Sequence, residues 1–182
     1  LETFTAPKEF VADNRYLQDR QEALEALALQ VIDRPIVELI EGFTRLPYCF
    51  TLQSCYGHFL CASGQDSSNL ERLPPRYEGE VNYRIAYLAL CLENSPRGRK
   101  LRDSLQVVSA FDQDYVQFGS ADWFWERHCN SYVLQVEPVR HRTKDQVVVK
   151  HSEALYLERI RDLFFINLKE LLMRHRRDYR LG

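Results

Sequence analysis

No apolar run in this chain approaches the roughly 18 residues of a membrane-spanning helix, so no span is expected. No secretory signal precedes its five cysteines, Cys49, Cys55, Cys61, Cys91 and Cys129, which are odd in number and not spaced like a small disulfide framework. Reduced thiols in a cytoplasmic protein are the simplest reading. A large charge of one sign is also missing. The net charge of −2 at pH 7 excludes a global basic field that would recruit nucleic acid. A basic run remains at Arg174-His175-Arg176-Arg177-Asp178-Tyr179-Arg180, and it reads first as a last helical turn complementing the helix dipole. GxGxxG, Walker A, HExxH and GxSxG are all absent, which leaves dinucleotide and nucleoside-triphosphate sites of the standard kinds unsupported. There is no internal repeat and no low-complexity tract. The chain does not begin with Met, which leaves room for residues upstream.

What is present fits one soluble domain. The 182 residues are 45% hydrophobic and 27% charged, enough to bury a core without staples. Residues 1–12 read as a flexible arm and 13–182 as a single domain. Asp13 or Asn14 caps a helix predicted to run to about Ile32, with Leu17, Ala23 or Leu24, Leu27 and Val31 at helical spacing. Asp33-Arg34-Pro35 restarts the chain into a second helix, with Asp33 as its cap and an apolar stripe from Ile36 to Phe43. Tyr83 to Leu92 is apolar on both faces, as a central strand is. Ser95-Pro96 opens a helix to about Ala110. Its early cations Arg97, Arg99, Lys100 and Arg102 oppose the dipole and read as a solvated face, with anion binding as the alternative.

Tyr115–Phe118 and Trp123–Trp125 flank Gly119-Ser120 as a strand with a turn or bulge. Tyr132–Val136 is a strand, Val147–Val149 a short edge strand, and Ser152 to about Arg174 a long helix with Leu157, Ile160, Phe164, Leu168 and Leu171 on its stripe. The expected fold is α+β, a largely antiparallel sheet of about four strands covered by about four helices. The stripes on the first and last helices suit the core or a homodimer interface equally.

The stretch from Leu46 to Phe59 carries the chemistry. A strand alternating at Tyr48, Phe50 and Leu52 delivers Ser54, Cys55 and His58 to one loop, with Gly57 permitting positive φ or close approach of a ligand. Cys55 beside His58 could act as a nucleophile if the imidazolium lowers its pKa; a buried inert thiol is the plainer reading. Cys55, His58 and Cys61, with His128-Cys129, offer metal ligands, but no second matched pair completes a zinc pattern and no metal is assigned. Tyr48, Tyr56, Phe59, Trp123, Phe124 and Trp125 could stack on a planar ligand or a base, or simply fill the core. The loop from Ser63 to Glu80 is long enough to be a lid, or to be disordered.

The words Thr51-Leu52-Gln53-Ser54-Cys55-Tyr56-Gly57-His58-Phe59 resemble the Thr-Thr-Ser-Ser-Cys-Ser-Gly-Arg-Ile motif of the wybutosine-synthesis tRNA methyltransferase family. Asp33-Arg34-Pro35-Ile36 and Pro47-Tyr48 are similar in placement to that family's Asp-Pro-Ile entry and Tyr-Tyr strand start, and Trp125 and His128 echo its later Trp…His element. The resemblance is clear over residues 33–60. It implies methyl transfer from S-adenosylmethionine to a modified base of tRNA, with Thr51, Ser54, Cys55, Gly57 and His58 as site positions. Under that reading Tyr56, Trp123, Trp125 and His128 would help hold the ligand, and His58 would orient or deprotonate the acceptor. Leu52 and Gln53 depart from the motif, and His58 stands where the family carries Arg, a permanent charge with a planar fork. The alternative is a non-enzymatic module that binds a ligand, a metal or a protein.

Overall fold

The computed structural model describes residues 4–61, 65–66, 68–141 and 145–181. Among these residues eight strands form two sheets, and every pairing is antiparallel. The larger sheet runs β1 (Phe4–Thr5), β6 (Val116–Ala121), β7 (Ser131–Val136), β5 (Ala86–Leu92), β2 (Cys49–Cys55). The smaller runs β3 (His58–Leu60), β4 (Glu80–Arg84), β8 (Gln146–Lys150). Five α-helices complete the α+β fold: α1 (Tyr16–Glu25), α2 (Val37–Thr44), α3 (Pro96–Ser109), α4 (Asp122–Arg127) and α5 (His151–Leu181). No helix among the described residues is long and apolar enough to cross a membrane.

Both faces of the larger sheet are covered, which is why β5 reads as a continuous apolar run. Leu88, Leu90 and Leu92, with Tyr132, Leu134 and Val136, join the main core with α2, α3 and α5. On the other face Ala89 and Val133 meet Ala121 and Phe124 of α4, while Phe50 and Cys91 meet Tyr16 of α1. The expected strand from Tyr83 to Leu92 is two strands in two sheets. Tyr83 makes the break rigid: its hydroxyl donates to Val136 O at 2.9 Å and accepts Ala86 N–H at 2.9 Å.

Other expectations need correction. The first helix stops at Glu25, short of Ile32, and a single 3₁₀ turn at Leu29–Val31 follows. Its stripe holds only in part: Ala23 and Leu27 pack against the core, but Leu17 is 74% exposed and Val31 80%, while Tyr16 and Asp19 face inward. Trp123 to Trp125 is not a strand but part of α4, because β6 runs unbroken through Gly119 and Asp122 starts the helix. Gly119 lacks the Cβ that would strike Thr5 O of the neighbouring strand β1. The early cations of α3 do lie on a largely exposed face, with Arg97, Arg99 and Lys100 exposed and Arg102 half-buried. Arg97 lies over the Tyr179 ring at 5.1 Å, Arg99 and Arg102 over Phe10 at 5.0 and 5.1 Å, and Lys100 pairs with Asp178 at 2.7 Å.

Residues 4–12, expected as an arm, run along the sheet. Lys8 N–H donates to Ser120 Oγ, Val11 N–H to Asn130 Oδ1, and Lys8 O accepts from Tyr132 Oη. Helix α3 starts as its sequence predicts, with Ser95 Oγ accepting Gly98 N–H at 3.2 Å and Pro96 in the first turn. A Cβ on Gly98 would collide with the Glu93 carbonyl oxygen. Gly98→Ala is therefore expected to lower stability by about 2 kcal/mol, although alanine is the better helix former by about 1 kcal/mol. A urea titration checks it; a stabilised variant would show that the 93–98 turn can shift freely.

Candidate functional site

Strand β2 ends at Cys55, and the chain turns through Tyr56 and Gly57 into β3 at His58. Gly57 has φ +91°, a conformation open to glycine and disfavoured for other residues. The turn crosses from the larger sheet to the smaller one, and it brings Cys55 and His58 together as their spacing suggested. Both are buried, at 3% and 2% exposure. Gly57 N–H points at Cys55 Sγ from 3.4 Å.

Asp33 organises this turn. Its Oδ2 accepts the Tyr56 N–H at 2.7 Å and lies 3.2 Å from His58 Nε2. The other ring nitrogen, Nδ1, sits 3.1 Å from the carbonyl oxygen of Asn69. Acceptors therefore face both nitrogens, and the ring that satisfies them is the doubly protonated imidazolium. The hydrogen bond to Asp33 is the main cause of a His58 pKa pushed up to about 10, with Cys55 adding to it and burial opposing it. Burial alone would raise the Asp33 carboxyl, but the hydrogen bonds from His58 and Tyr56 prevail and hold it below its ordinary value. A ring held protonated donates hydrogen bonds and charge; it is not poised to remove a proton at neutral pH.

Helix α5 closes the site from the opposite side. Arg161, 3% exposed, donates from Nη1 to Gly57 O at 3.0 Å and lies over the Tyr56 ring at 4.3 Å and the Phe59 ring at 5.1 Å. Its charge is balanced by Asp162, 2.9 Å from Nη2, which also accepts from Tyr56 Oη at 3.0 Å. The described part of the loop after β3 lies across this cluster. Besides Asn69, Leu73 N–H donates to Glu158 Oε1 at 3.0 Å, Arg72 pairs with Asp162 at 3.2 Å, and Tyr77 Oη donates to Cys61 O. Of the residues named for that loop, Ser63, Gly64 and Ser67 lie outside the described residues.

Thr51 and Ser54 are half-buried in β2, paired across to Leu90 and Leu88, and neither hydroxyl has a hydrogen-bond partner among the described residues. Trp123, Trp125 and His128 do not join the turn. His128 stands edge-on to Phe50, near the start of β2, with Nδ1 3.1 Å from Asp19 Oδ2. Trp123 is 46% exposed under Arg127, and Trp125 packs on Tyr132 with Lys8 above it. Their expected stacking on a ligand at Ser54–His58 is not what the fold provides: His128 sits at Phe50, near the other end of β2, and α4 packs on β6 and β7. Cys61 likewise lies outside the donor cluster, whose third member is Asp33. One donor atom each from Asp33, Cys55 and His58 falls within 4.8 Å of the others.

The sequence reading missed the site roles of Asp33, Arg161 and Asn69. Asp33 looked like a helix cap, yet it makes no side-chain cap bond. Arg161 had a visible signal: unlike the exposed Arg159, it falls at helical spacing with Leu157, Phe164 and Leu168 in the apolar stripe of α5. Asn69 contributes only its backbone, which side-chain chemistry does not announce.

No protein-family model matches this chain, and no curated protein does. Among solved structures, the PH1069 protein from Pyrococcus horikoshii is similar at 14% identity and a TM-score of 0.48, over 88% of this chain and 94% of that one.

Proposed function

We propose that this protein is a methyltransferase-like protein that uses S-adenosylmethionine on a modified base of tRNA, with its ligand at the Ser54–His58 turn. The observation that carries the reading is Asp33. The two segments that resemble the wybutosine-synthesis family, 33–36 and 51–59, are fastened to each other by its carboxylate through Tyr56 N–H and His58 Nε2. A second point supports it. His58 replaces an Arg of the family motif, and its pairing with Asp33 keeps it cationic at neutral pH, so the charge survives the substitution although the planar fork does not.

Methyl transfer breaks the sulfonium–methyl bond, forms a bond from the methyl carbon to the acceptor atom of the base, and releases the acceptor's proton to solvent. It asks the protein mainly for alignment and charge. In this reading His58 and Arg161 supply fixed positive charge, and Ser54 and Thr51 offer hydroxyls that have no hydrogen-bond partner among the described residues. Calorimetric titration with S-adenosylmethionine tests it. Saturable micromolar binding is expected, weakened about tenfold by Ser54→Ala, a loss of about 1.4 kcal/mol. No binding by the folded protein would remove the methyltransferase reading, and unchanged binding by the variant would remove this site.

A second reading, a non-catalytic metal-holding module, is favoured by the three donor atoms of Asp33, Cys55 and His58. A carbonyl such as Asn69 O is the kind of partner that orients a metal-bound imidazole through its far nitrogen. Elemental analysis of the purified protein separates the two. Stoichiometric zinc supports the module, and a folded metal-free protein leaves the proton-bridged Asp33–His58 pair.

A further inference from the structure

Helix α5 is buried along one side, and its outer side carries an apolar stripe that stays exposed among the described residues. Tyr156, Leu163, Ile166 and Met173 are 41%, 37%, 51% and 54% exposed. They follow a seven-residue repeat rather than scattering. Tyr156, Leu163 and Glu170 hold one position of the repeat, and Arg159, Ile166 and Met173 the other, all of them exposed. This spacing makes a seam for a partner helix. From Tyr156 to Met173 it runs about 26 Å at 1.5 Å per residue.

The stripe is complementary to itself when reversed. An antiparallel copy centred between Leu163 and Ile166 sets Leu163 against Ile166 of the second copy, and Arg159 against Glu170. The same register sets Tyr156 against Met173 and Ser152 against Arg177. Each pair occurs twice about the two-fold axis, as an isologous interface requires. Neither Arg159 nor Glu170 has an ion-pair partner among the described residues. Tyr156 also donates to Asp112, so the exposed Phe111 adjoins the seam at one end and extends its apolar surface.

We infer that the exposed face of α5 binds a second copy of this chain, as a two-fold antiparallel helix pair with Arg159 opposite Glu170 of the other copy. The pairing is independent of the turn at Ser54–His58.

Sedimentation equilibrium of the full chain from 1 to 100 µM, at low and high salt, tests the inference. A reversible dimer with a dissociation constant on the order of 10 µM is expected, since one helix pair is at the small end of specific interfaces. Leu163→Glu should leave a monomer across that range, with an unchanged far-ultraviolet spectrum. The register has its own test. Arg159→Glu and Glu170→Arg should each weaken the dimer at least fivefold, and the double variant should recover it, because the swapped charges meet again across the axis. A wild-type chain that stays monomeric at 100 µM overturns the inference. So does a dimer indifferent to Leu163→Glu, or a double variant no better than either single one.

Discussion

Asp33→Ala is expected to cost about 3 kcal/mol of folding stability, far more than a substitution in a segment between two short helices usually does. The carboxylate is the partner of a buried imidazolium and of the Tyr56 N–H. Its removal strands a cation that is nearly out of solvent and leaves a backbone donor without an acceptor. Asp33→Asn retains an acceptor for Tyr56 but loses the charge, so it should cost about half as much. The effect depends on pH in a direction that the two shifts fix. His58 is raised in the folded protein, so its contribution is whole below its ordinary value of 6.5 and is lost as pH climbs toward about 10. Asp33 is lowered, so its contribution is whole above its ordinary value of 3.8 and is lost as acid drives pH through its depressed value. Metal-free wild-type protein should therefore lose urea resistance between about pH 6.5 and pH 10, and Asp33→Ala should show a flatter profile there. Parallel profiles for the two proteins would show that the pair does not stabilise the fold.

Gly57→Ala should be nearly as damaging, at about 3 kcal/mol, from two causes that add. A non-glycine residue at φ +91° carries strain of roughly 1–2 kcal/mol. The new Cβ would also sit 2.8 Å from Ala86 Cβ and 3.1 Å from Ala86 N, with Arg161 Cδ at 3.2 Å. None of these neighbours retreats easily. Ala86 lies in the sheet, and the Arg161 guanidinium is tied to Gly57 O and Asp162. Gly79→Ala is the control. Its Cβ would come nearest the half-buried ring of Tyr77, a side chain held by its hydrogen bond to Cys61 O rather than by backbone, and its φ lies outside the left-handed range. A cost below about 1 kcal/mol is expected there. Chemical denaturation of both variants measures the contrast; equal losses would mean that the 55–58 turn is no more constrained than an ordinary loop.

The parts of the fold legible in the sequence were those with one strong local signal. Ser95-Pro96 marked the start of α3 because a cap and a proline act within a single turn. The stripe from Leu157 to Leu171 marked α5, which buries one face along most of its length. Strand β7 showed itself through Tyr132, Leu134 and Val136. The break at Ile85 did not, because it depends on a tertiary bond from Ile85 N to Asp145 O and on the buried Tyr83 hydroxyl. Trp123–Trp125 looked like strand because aromatic residues favour strands. A six-residue helix packed on β6 and β7 overrides that preference.

The site followed the same division. Cys55, Gly57 and His58 were legible because a tight turn forces neighbours in sequence to be neighbours in space. Asp33 and Arg161 are distant along the chain and join the turn only when α5 and the entry to α2 pack around it. Trp123, Trp125 and His128 were grouped with the turn through composition and resemblance, and the sheet holds them apart. His58 is the instructive residue. By type it is a weaker cation than the Arg of the family motif, and only the carboxylate of Asp33 shows that it is charged.

The state of His58 is therefore the point on which the account turns, and nitrogen-15 NMR of the histidine rings in metal-free protein reads it directly. The account predicts that His58 has both ring nitrogens protonated at pH 7.5 and titrates near pH 10, and that in Asp33→Asn its titration falls well below that of the wild-type protein. A neutral His58 ring at pH 7.5 in the wild-type protein would contradict it.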